Sequence, residues 1–203
     1  MAKPSWLVVD PESGSGNGKI ANSSKAPHTG RNSRTGTVTV TAVGASTPAT
    51  YTVTQSPKPE FVSFDNGAEM AINKTGGSVV VEGKSNAAKL TFSWGGEVTD
   101  VTLPAKYQAN GTATDNGANI TGDPGATAQF PFSVTLEVPA NTTIEEIVRN
   151  LIVTSGGNKS AQIALKQAAG DPFIEVTPTE ITLDADGSAV SVDVTSNTSW
   201  TVS

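Results

Sequence analysis

The sequence predicts an all-β fold made of antiparallel, Ig-like β-sandwiches, and three observations support this fold class. Charged residues make up only 16% of the 203 residues, and Thr, Ser, Val, Gly and Asn dominate, as in half-buried strands and tight turns. A strand pattern recurs at a spacing of 112 residues, close to the length of one small sandwich. Turn dipeptides punctuate the chain, namely Asn17-Gly18, Asn66-Gly67, Gly76-Gly77, Asn110-Gly111, Asn116-Gly117 and Gly156-Gly157.

The recurrent pattern consists of two strands, the second ending in Gln, followed by a short linker and a strand that opens with Phe. Gln55 and Phe61 in the first copy match Gln167 and Phe173 in the second, each pair 112 positions apart. A period this long excludes a solenoid, whose repeats are much shorter. The copies further share Arg34 with Arg149 and Ser85-Asn86 with Ser196-Asn197.

The repeat divides the chain into one complete sandwich and two half-domains. Residues 60–168 contain every strand of one copy. Residues 1–59 contain the later strands of a copy, and residues 171–203 contain the earlier strands of another. The chain is therefore expected to begin and end in mid-domain, with two complementary halves.

One short stretch has a helical pattern. Residues 141–150 read NTTIEEIVRN, in which Thr143 and Glu146 have the spacing of a capping box. The pattern predicts one or two helical turns between two strands.

The composition argues against several function classes. The formal net charge is −6, whereas binders of nucleic acids or anionic membranes need a basic surface. The absence of Cys removes thiolate chemistry and zinc-thiolate sites. The sequence also contains no nucleophile elbow, phosphate-binding loop or paired-carboxylate constellation. We therefore expect a protein that is not an enzyme, with no catalytic residues, no metal site and no cofactor.

The polar loops contain few candidates for chemistry. His28 is the only His, and both a catalytic triad and a His-based metal site need further side chains. Residues 10–18 and 114–123 form two acidic loops, but calcium needs several converging carboxylates, and Asp115 and Asp123 in the second loop are too sparse. Solvated turns are the better interpretation of these loops.

Three stretches resemble the BACON family of Ig-like domains, which is common in proteins of Bacteroidetes. They are SNTSWTVS, SWLVVDPESGSGNG and RTGTVTVTAVGASTPATYTVTQ, near the end and the beginning of the chain. The central copy departs from the family pattern at SWGGEVTDVTL and in a longer loop at 103–125. The resemblance implies a sandwich fold and, for many members, carbohydrate binding.

BACON-like domains also occur in virion proteins of crAss-like phages, which infect Bacteroidetes. The first ten residues, MAKPSWLVVD, contain no apolar run of signal-peptide length. The resemblance therefore favours a structural virion protein, synthesised in the host cytoplasm, that decorates the capsid surface and contacts the major capsid protein. The alternatives are a carbohydrate-binding or spacer module of a secreted protein, and a phage fibre or tail component.

The aromatic residues divide into core and surface candidates. Trp6 and Trp200 lie on alternating strand patterns, where an Ig-like sandwich places a Trp in its core. Trp94, beside two glycines, and Tyr107 are weak candidates for contacts with a glycan.

The two half-domains are expected to complete each other between molecules. The linkers SPKPE and AAGD each span roughly 15 Å, which is short against the length of a sandwich, so closure within one chain is awkward. C-terminal strands of one copy should therefore insert into the N-terminal half of a neighbour, giving a head-to-tail oligomer. A chain truncated at Ser203 is the alternative. The predicted exchange core comprises Trp6, Val8, Val38, Val40, Tyr51, Val53, Phe173, Ile174, Val176, Ile181, Val190, Val192, Val194 and Trp200.

We expect the melting temperature to rise with protein concentration. Aromatics are only 5% of the residues, so each small sandwich gains a net stability of about 5–10 kcal/mol at most. Assembly adds to this stability by mass action. Differential scanning fluorimetry over a dilution series measures the effect, and a melt that is independent of concentration would indicate self-contained domains.

Overall fold

The computed structural model describes residues 3–203 and confirms the all-β prediction. Strands make up 43% of the chain, and nearly all neighbouring strands are antiparallel. The first two residues of the 1–59 segment lie outside the described part. Among the described residues, no helix is long and apolar enough to cross a membrane.

Most strands are short and are separated by turns. A single 3₁₀ turn, Pro124–Ala126, is the only helical element of residues 3–203. The strands are β1 (Leu7–Asp10), β2 (Ala21–Ser24), β3 (Arg34–Val40), β4 (Ala49–Gln55), β5 (Val62–Phe64), β6 (Glu69–Ile72), β7 (Gly77–Ser85), β8 (Leu90–Trp94), β9 (Lys106–Ala109), β10 (Thr112–Asp115), β11 (Phe130–Val138), β12 (Ile147–Ser155), β13 (Ser160–Gln167), β14 (Ile174–Thr177) and β15 (Asp193–Ser196).

Strands β5–β13 form a two-sheet sandwich, here called the central sandwich. One sheet has the order β10-β9-β11-β7-β5 and the other has the order β6-β13-β12-β8. Alternate residues of each strand point inward, because side chains of a strand alternate between faces. Val81, Leu151 and Leu165 are fully buried between the sheets. The ring of Phe92 packs between Tyr107 and Phe132, at centroid distances of 5.0 and 5.7 Å.

Both sheets of the central sandwich combine early and late strands of the copy. β7 pairs with β11 over nine residues, and β8 pairs with β12. β6 pairs with β13 in the parallel direction. Neither β5–β8 nor β9–β13 could therefore complete a sheet without the other set.

A buried arginine joins two strands of the second sheet to a loop. Arg149 on β12 has a side chain that is 2% exposed. Its guanidinium forms an ion pair with Asp100 and donates a hydrogen bond of 3.0 Å to the side-chain oxygen of Gln167. The hydrogen bonds from Arg149 hold the pKa of Asp100 below its ordinary value.

The predicted helical turns within 141–150 are wrong. Residues 143–145 form a bend, and β12 begins at Ile147. The side chain of Asn141 organises the bend: its oxygen accepts from the backbone of Thr143 at 2.9 Å, and its nitrogen donates to Glu145 and Ala168 carbonyls. An Asn side chain that bonds nearby backbone competes with a helix in this way.

Replacing Leu151 by Ala should destabilise the central sandwich by about 2–5 kcal/mol, because it leaves a cavity among fully buried side chains. Val148→Ala on the same strand is the control, since Val148 is 48% exposed and its loss should cost within about 0.5 kcal/mol. Urea unfolding followed by tryptophan fluorescence measures both, and equal costs would contradict the packing.

The ion pair of Asp100 should make stability sensitive to acid. A lowered carboxyl pKa contributes stability above the unfolded value of about 3.9 and loses it as pH falls through the folded value. The wild type should therefore lose stability more steeply below about pH 4 than Asp100→Asn. Urea midpoints at neutral pH and in acid give the two slopes, and parallel slopes would show that the pair contributes nothing.

Candidate assembly site

The two segments that flank the central sandwich contain strands without complete sheets. The N-terminal half, residues 3–59, contains two two-stranded sheets, β1-β2 and β3-β4. The C-terminal half, residues 171–203, contains the two-stranded sheet β14-β15. Each half can be compared, position by position, with its counterpart in the central sandwich.

The C-terminal half reproduces the first strands of the central sandwich. Ile174 on β14 lies opposite Ser196 on β15, as Val62 on β5 lies opposite Ser85 on β7. Both serines donate from Oγ to the carbonyl of the Phe before the first strand, at 2.8 and 2.7 Å. The predicted match of Ser85-Asn86 with Ser196-Asn197 is therefore also a match of local structure.

Asn86 holds the joint between the N-terminal half and the central sandwich. Its side-chain oxygen accepts from the backbone of Phe61 at 3.0 Å. Its amide donates to the carbonyls of Thr29 and Lys58, both at 3.2 Å. The side chain is fully buried, so the joint depends on one amide group for several backbone partners.

Asn197 makes the same contacts at the second joint. Its side-chain oxygen accepts from the backbone of Phe173 at 3.0 Å. Its amide donates to the carbonyl of Thr142 in the central sandwich at 2.8 Å and to that of Asp171 in the linker at 2.9 Å. The C-terminal half is thus attached to the central sandwich as the central sandwich is attached to the N-terminal half.

The apolar side chains of the C-terminal half are exposed where their counterparts are buried. Val190 and Val192 are 46% and 42% exposed, against 9% and 0% for Val79 and Val81. Further along, Trp200 and Val202 are 50% and 86% exposed. With one residue fewer after Asn197 than after Asn86, their counterparts in the central sandwich are Leu90 and Phe92, which are buried.

The C-terminal half also has fewer strands than its sequence matches. Residues 180–183 match β6 and residues 200–203 match β8, yet both segments are coil. In the central sandwich β6 pairs with β13 and β8 pairs with β12. Within residues 3–203, neither 180–183 nor 200–203 pairs with any strand. The segments have the side-chain pattern of strands but lack a neighbour.

The N-terminal half reproduces the last hairpin of the central sandwich. Val40 lies opposite Ala49 in the β3-β4 hairpin, as Val153 lies opposite Ala161 in β12-β13. The inward side chains of β4 are only half-buried, whereas their counterparts on β13 are fully buried. These β4 residues are Tyr51, Val53 and Gln55, and the counterparts are Ile163, Leu165 and Gln167.

Two predicted residues change roles in the N-terminal half. Val8 was expected in the exchange core, but it points outward, and Leu7 and Val9 are the buried residues of β1. The prediction was wrong by one residue because every side chain of the run Leu7–Asp10 except the last is apolar, so the pattern did not fix the inward face. Leu7, Val9 and Val38 form a small core that Trp6, Tyr51 and Val53 flank.

The matched arginines both bind the Gln of the neighbouring strand, with a shift of two residues. Arg34 donates from Nε to the side chain of Gln55 at 2.9 Å and lies directly opposite it. Arg149 contacts Gln167 but lies opposite Leu165. The guanidinium of Arg34 lies 4.6 Å from the centre of the Trp6 ring, so Trp6 is half-buried beneath a cation.

Trp94 and Tyr107, the weak candidates for glycan contacts, do not form an exposed aromatic surface. Tyr107 is 3% exposed in the core of the central sandwich, and burial raises its pKa to about 12. It therefore cannot contact a glycan in the folded chain, and that expectation was wrong. Trp94 is half-buried, and its indole donates to the carbonyl of Val101 at 3.1 Å.

The polar loop candidates form ordinary structural contacts. His28 lies 2.7 Å from the carbonyl of Asn32. Asp123 pairs with Arg31 across the first joint, and Asp115 pairs with Lys106 on the neighbouring strand. Within residues 3–203 no cluster of three or more His, Cys, Asp or Glu side chains could hold a metal ion.

Comparisons with protein families and with curated proteins gave no match.

Gly30→Ala should loosen the first joint. A Cβ at Gly30 would lie 2.4 Å from the carbonyl carbon of Thr127, and the next residue, Arg31, donates from its backbone across the joint to the Gly125 carbonyl at 2.9 Å. Hydrogen exchange at the Arg31 amide should therefore accelerate. Gly18→Ala is the matched control, because no atom lies within 4 Å of its Cβ position. Unchanged exchange in Gly30→Ala would show that the joint tolerates separation.

Proposed function

We propose that this chain is a structural protein that links copies of itself by strand exchange, as an auxiliary protein on the capsid surface of a crAss-like phage of Bacteroidetes. The observation that carries the proposal is the incomplete sheets of the two flanking halves, with apolar side chains left exposed on them. The N-terminal half has the later strands of a sandwich, and the C-terminal half has the earlier strands.

Strand exchange removes the cost of leaving both halves incomplete. Unpaired strand edges and exposed apolar faces promote aggregation unless another segment covers them. Val40 on β3 and Val202 near the chain end are both exposed on such faces. Insertion of one half into the other buries these faces and provides hydrogen-bond partners for both sets of strands.

The geometry of such a link suits a surface lattice. The donor and the acceptor are different surfaces of the chain, so the contact is heterologous and produces closed rings or open chains. The phage setting rests on the resemblance of the terminal stretches to BACON-like virion proteins. The carbohydrate-binding alternative is weaker, since Tyr107 is buried in the core.

Deleting residues 172–203 should convert oligomers into monomers and expose the N-terminal half to protease. Size-exclusion chromatography with light scattering gives the mass of each species. Val192→Asp should weaken the oligomer, because this inward position is apolar in both copies. Ser191→Asp on the outward side is the matched control. Persistence of the same oligomers after the deletion would overturn the linking role.

The virion setting has its own test. Purified phage particles should bind an antibody raised against this chain, with label along the capsid surface in negative-stain electron microscopy. Label confined to the tail would favour the fibre or tail alternative, and particles without label would exclude a virion role.

A further inference from the structure

Resting on the proposed linking role, we propose that the exchange between copies repeats the strand pairing of the central sandwich residue by residue. In this arrangement, residues 180–183 of one copy lie parallel to β4 of the next copy. Residues 200–203 lie antiparallel to β3 of that same copy. The occupant of the uncovered N-terminal half is therefore a second copy of this chain, in one defined register.

The pairing beside β4 follows from β6 and β13. In the central sandwich Ala164 pairs with Glu69 and Gln167 pairs with Ile72, in parallel. The sequence EITL at 180–183 matches EMAI of β6, and Gln55 matches Gln167. The equivalent partners between copies are Thr52 with Glu180, Val53 with Ile181, Thr54 with Thr182 and Gln55 with Leu183.

The pairing beside β3 follows from β8 and β12. Val153 pairs with Phe92 and Ser155 with Leu90 in the central sandwich. The β3-β4 hairpin has the register of β12-β13, which makes Val40 the counterpart of Val153. One residue fewer lies between Asn197 and Trp200 than between Asn86 and Leu90, and with this gap the alternation of Trp200 and Val202 matches that of Leu90 and Phe92. The match then sets Val40 opposite Val202 and Ala42 opposite Trp200.

The donor segment already has the turn that this pairing needs. In the central sandwich the turn between β6 and β7 closes through a bond from the Gly76 amide to the Asn73 carbonyl at 2.9 Å. The matching turn of the C-terminal half closes from the Gly187 amide to the Asp184 carbonyl at 3.0 Å. Both glycines have positive φ, 64° and 79°. The C-terminal half therefore already contains this turn before it pairs with the N-terminal half of another copy.

Burial of apolar side chains fixes the register. Four side chains are exposed in the chain and would lie on the same inward face of the sheet as the half-buried Tyr51 and Val53. They are Ile181, Leu183, Trp200 and Val202. A shift by one residue would turn each of these side chains to solvent. Threonines at 54 and 182 then occupy the outward face, where β13 and β6 carry Lys166 and Ala71.

Paired cysteines can test the register directly, because the chain has no Cys of its own. The full-length variant Thr54→Cys/Thr182→Cys should form intermolecular disulfides under mild oxidation with oxidised glutathione. Each chain then bonds to two neighbours, so a ladder of covalent multimers should appear on non-reducing gels. Thr41→Cys/Thr201→Cys tests the antiparallel edge in the same way, as the counterpart of Thr154 with Thr91.

Thr52→Cys/Thr182→Cys is the matched control. Its cysteines lie two residues out of register, which adds about 6.6 Å along the strand to a spacing of about 4.8 Å between strands. The resulting Cα separation exceeds the limit of about 7 Å for a disulfide. The control should therefore remain uncrosslinked while retaining the mass of the oligomer in light scattering.

Mixing single-cysteine chains distinguishes exchange between copies from closure within one chain. Thr54→Cys mixed with Thr182→Cys should give a covalent heterodimer, which neither chain gives alone. Crosslinking confined within single chains would overturn the proposal.

Oligomers in which neither in-register pair crosslinks would overturn the register while leaving the linking role intact. Absence of oligomers at every concentration would overturn both.

Discussion

Every strand of this protein needs a hydrogen-bonded neighbour, and every apolar face needs a cover. The central sandwich meets this requirement by interleaving, because β6, β7 and β8 each pair with a strand from the later part of the copy. Equivalent side chains are exposed in the C-terminal half, as at Val190 and Val192, and only half-buried on β4 of the N-terminal half. Partner strands, rather than local sequence, therefore decide which segments become strands.

The joints between the units are more specific than linkers. Asn86 and Asn197 each accept from the backbone amide of the Phe that precedes a strand and donate to a carbonyl across the joint. Asn86 is fully buried and needs such partners, since an unpaired polar group is costly to bury. The C-terminal half is consequently held against the central sandwich although its own sheets are incomplete.

Sequence reasoning failed where a local pattern had two structural outcomes. Residues 141–150 contain a capping-box spacing, but the side chain of Asn141 forms hydrogen bonds with the backbone of Thr143 and Glu145. The residues from Ile147 onward pair with β13 as strand β12. In β1, consecutive apolar residues left the inward face undefined, and packing chose Leu7 and Val9. Tyr107 was predicted to be a surface aromatic residue. Its burial depends on neighbours that are distant along the chain, such as Phe92, and these are known only once the sheets are packed.

The sequence by itself determined the all-β class and the equivalence of Ser85-Asn86 with Ser196-Asn197, because alternation and turn chemistry are local properties. Only the tertiary structure decided which faces stay uncovered. Burial depends on strands that are distant along the chain. Val81 is buried on β7, which pairs with β11. The matching Val192 is exposed and has no strand beside it in the described chain. The two valines share a pattern and differ in exposure because only one of them has a neighbouring strand.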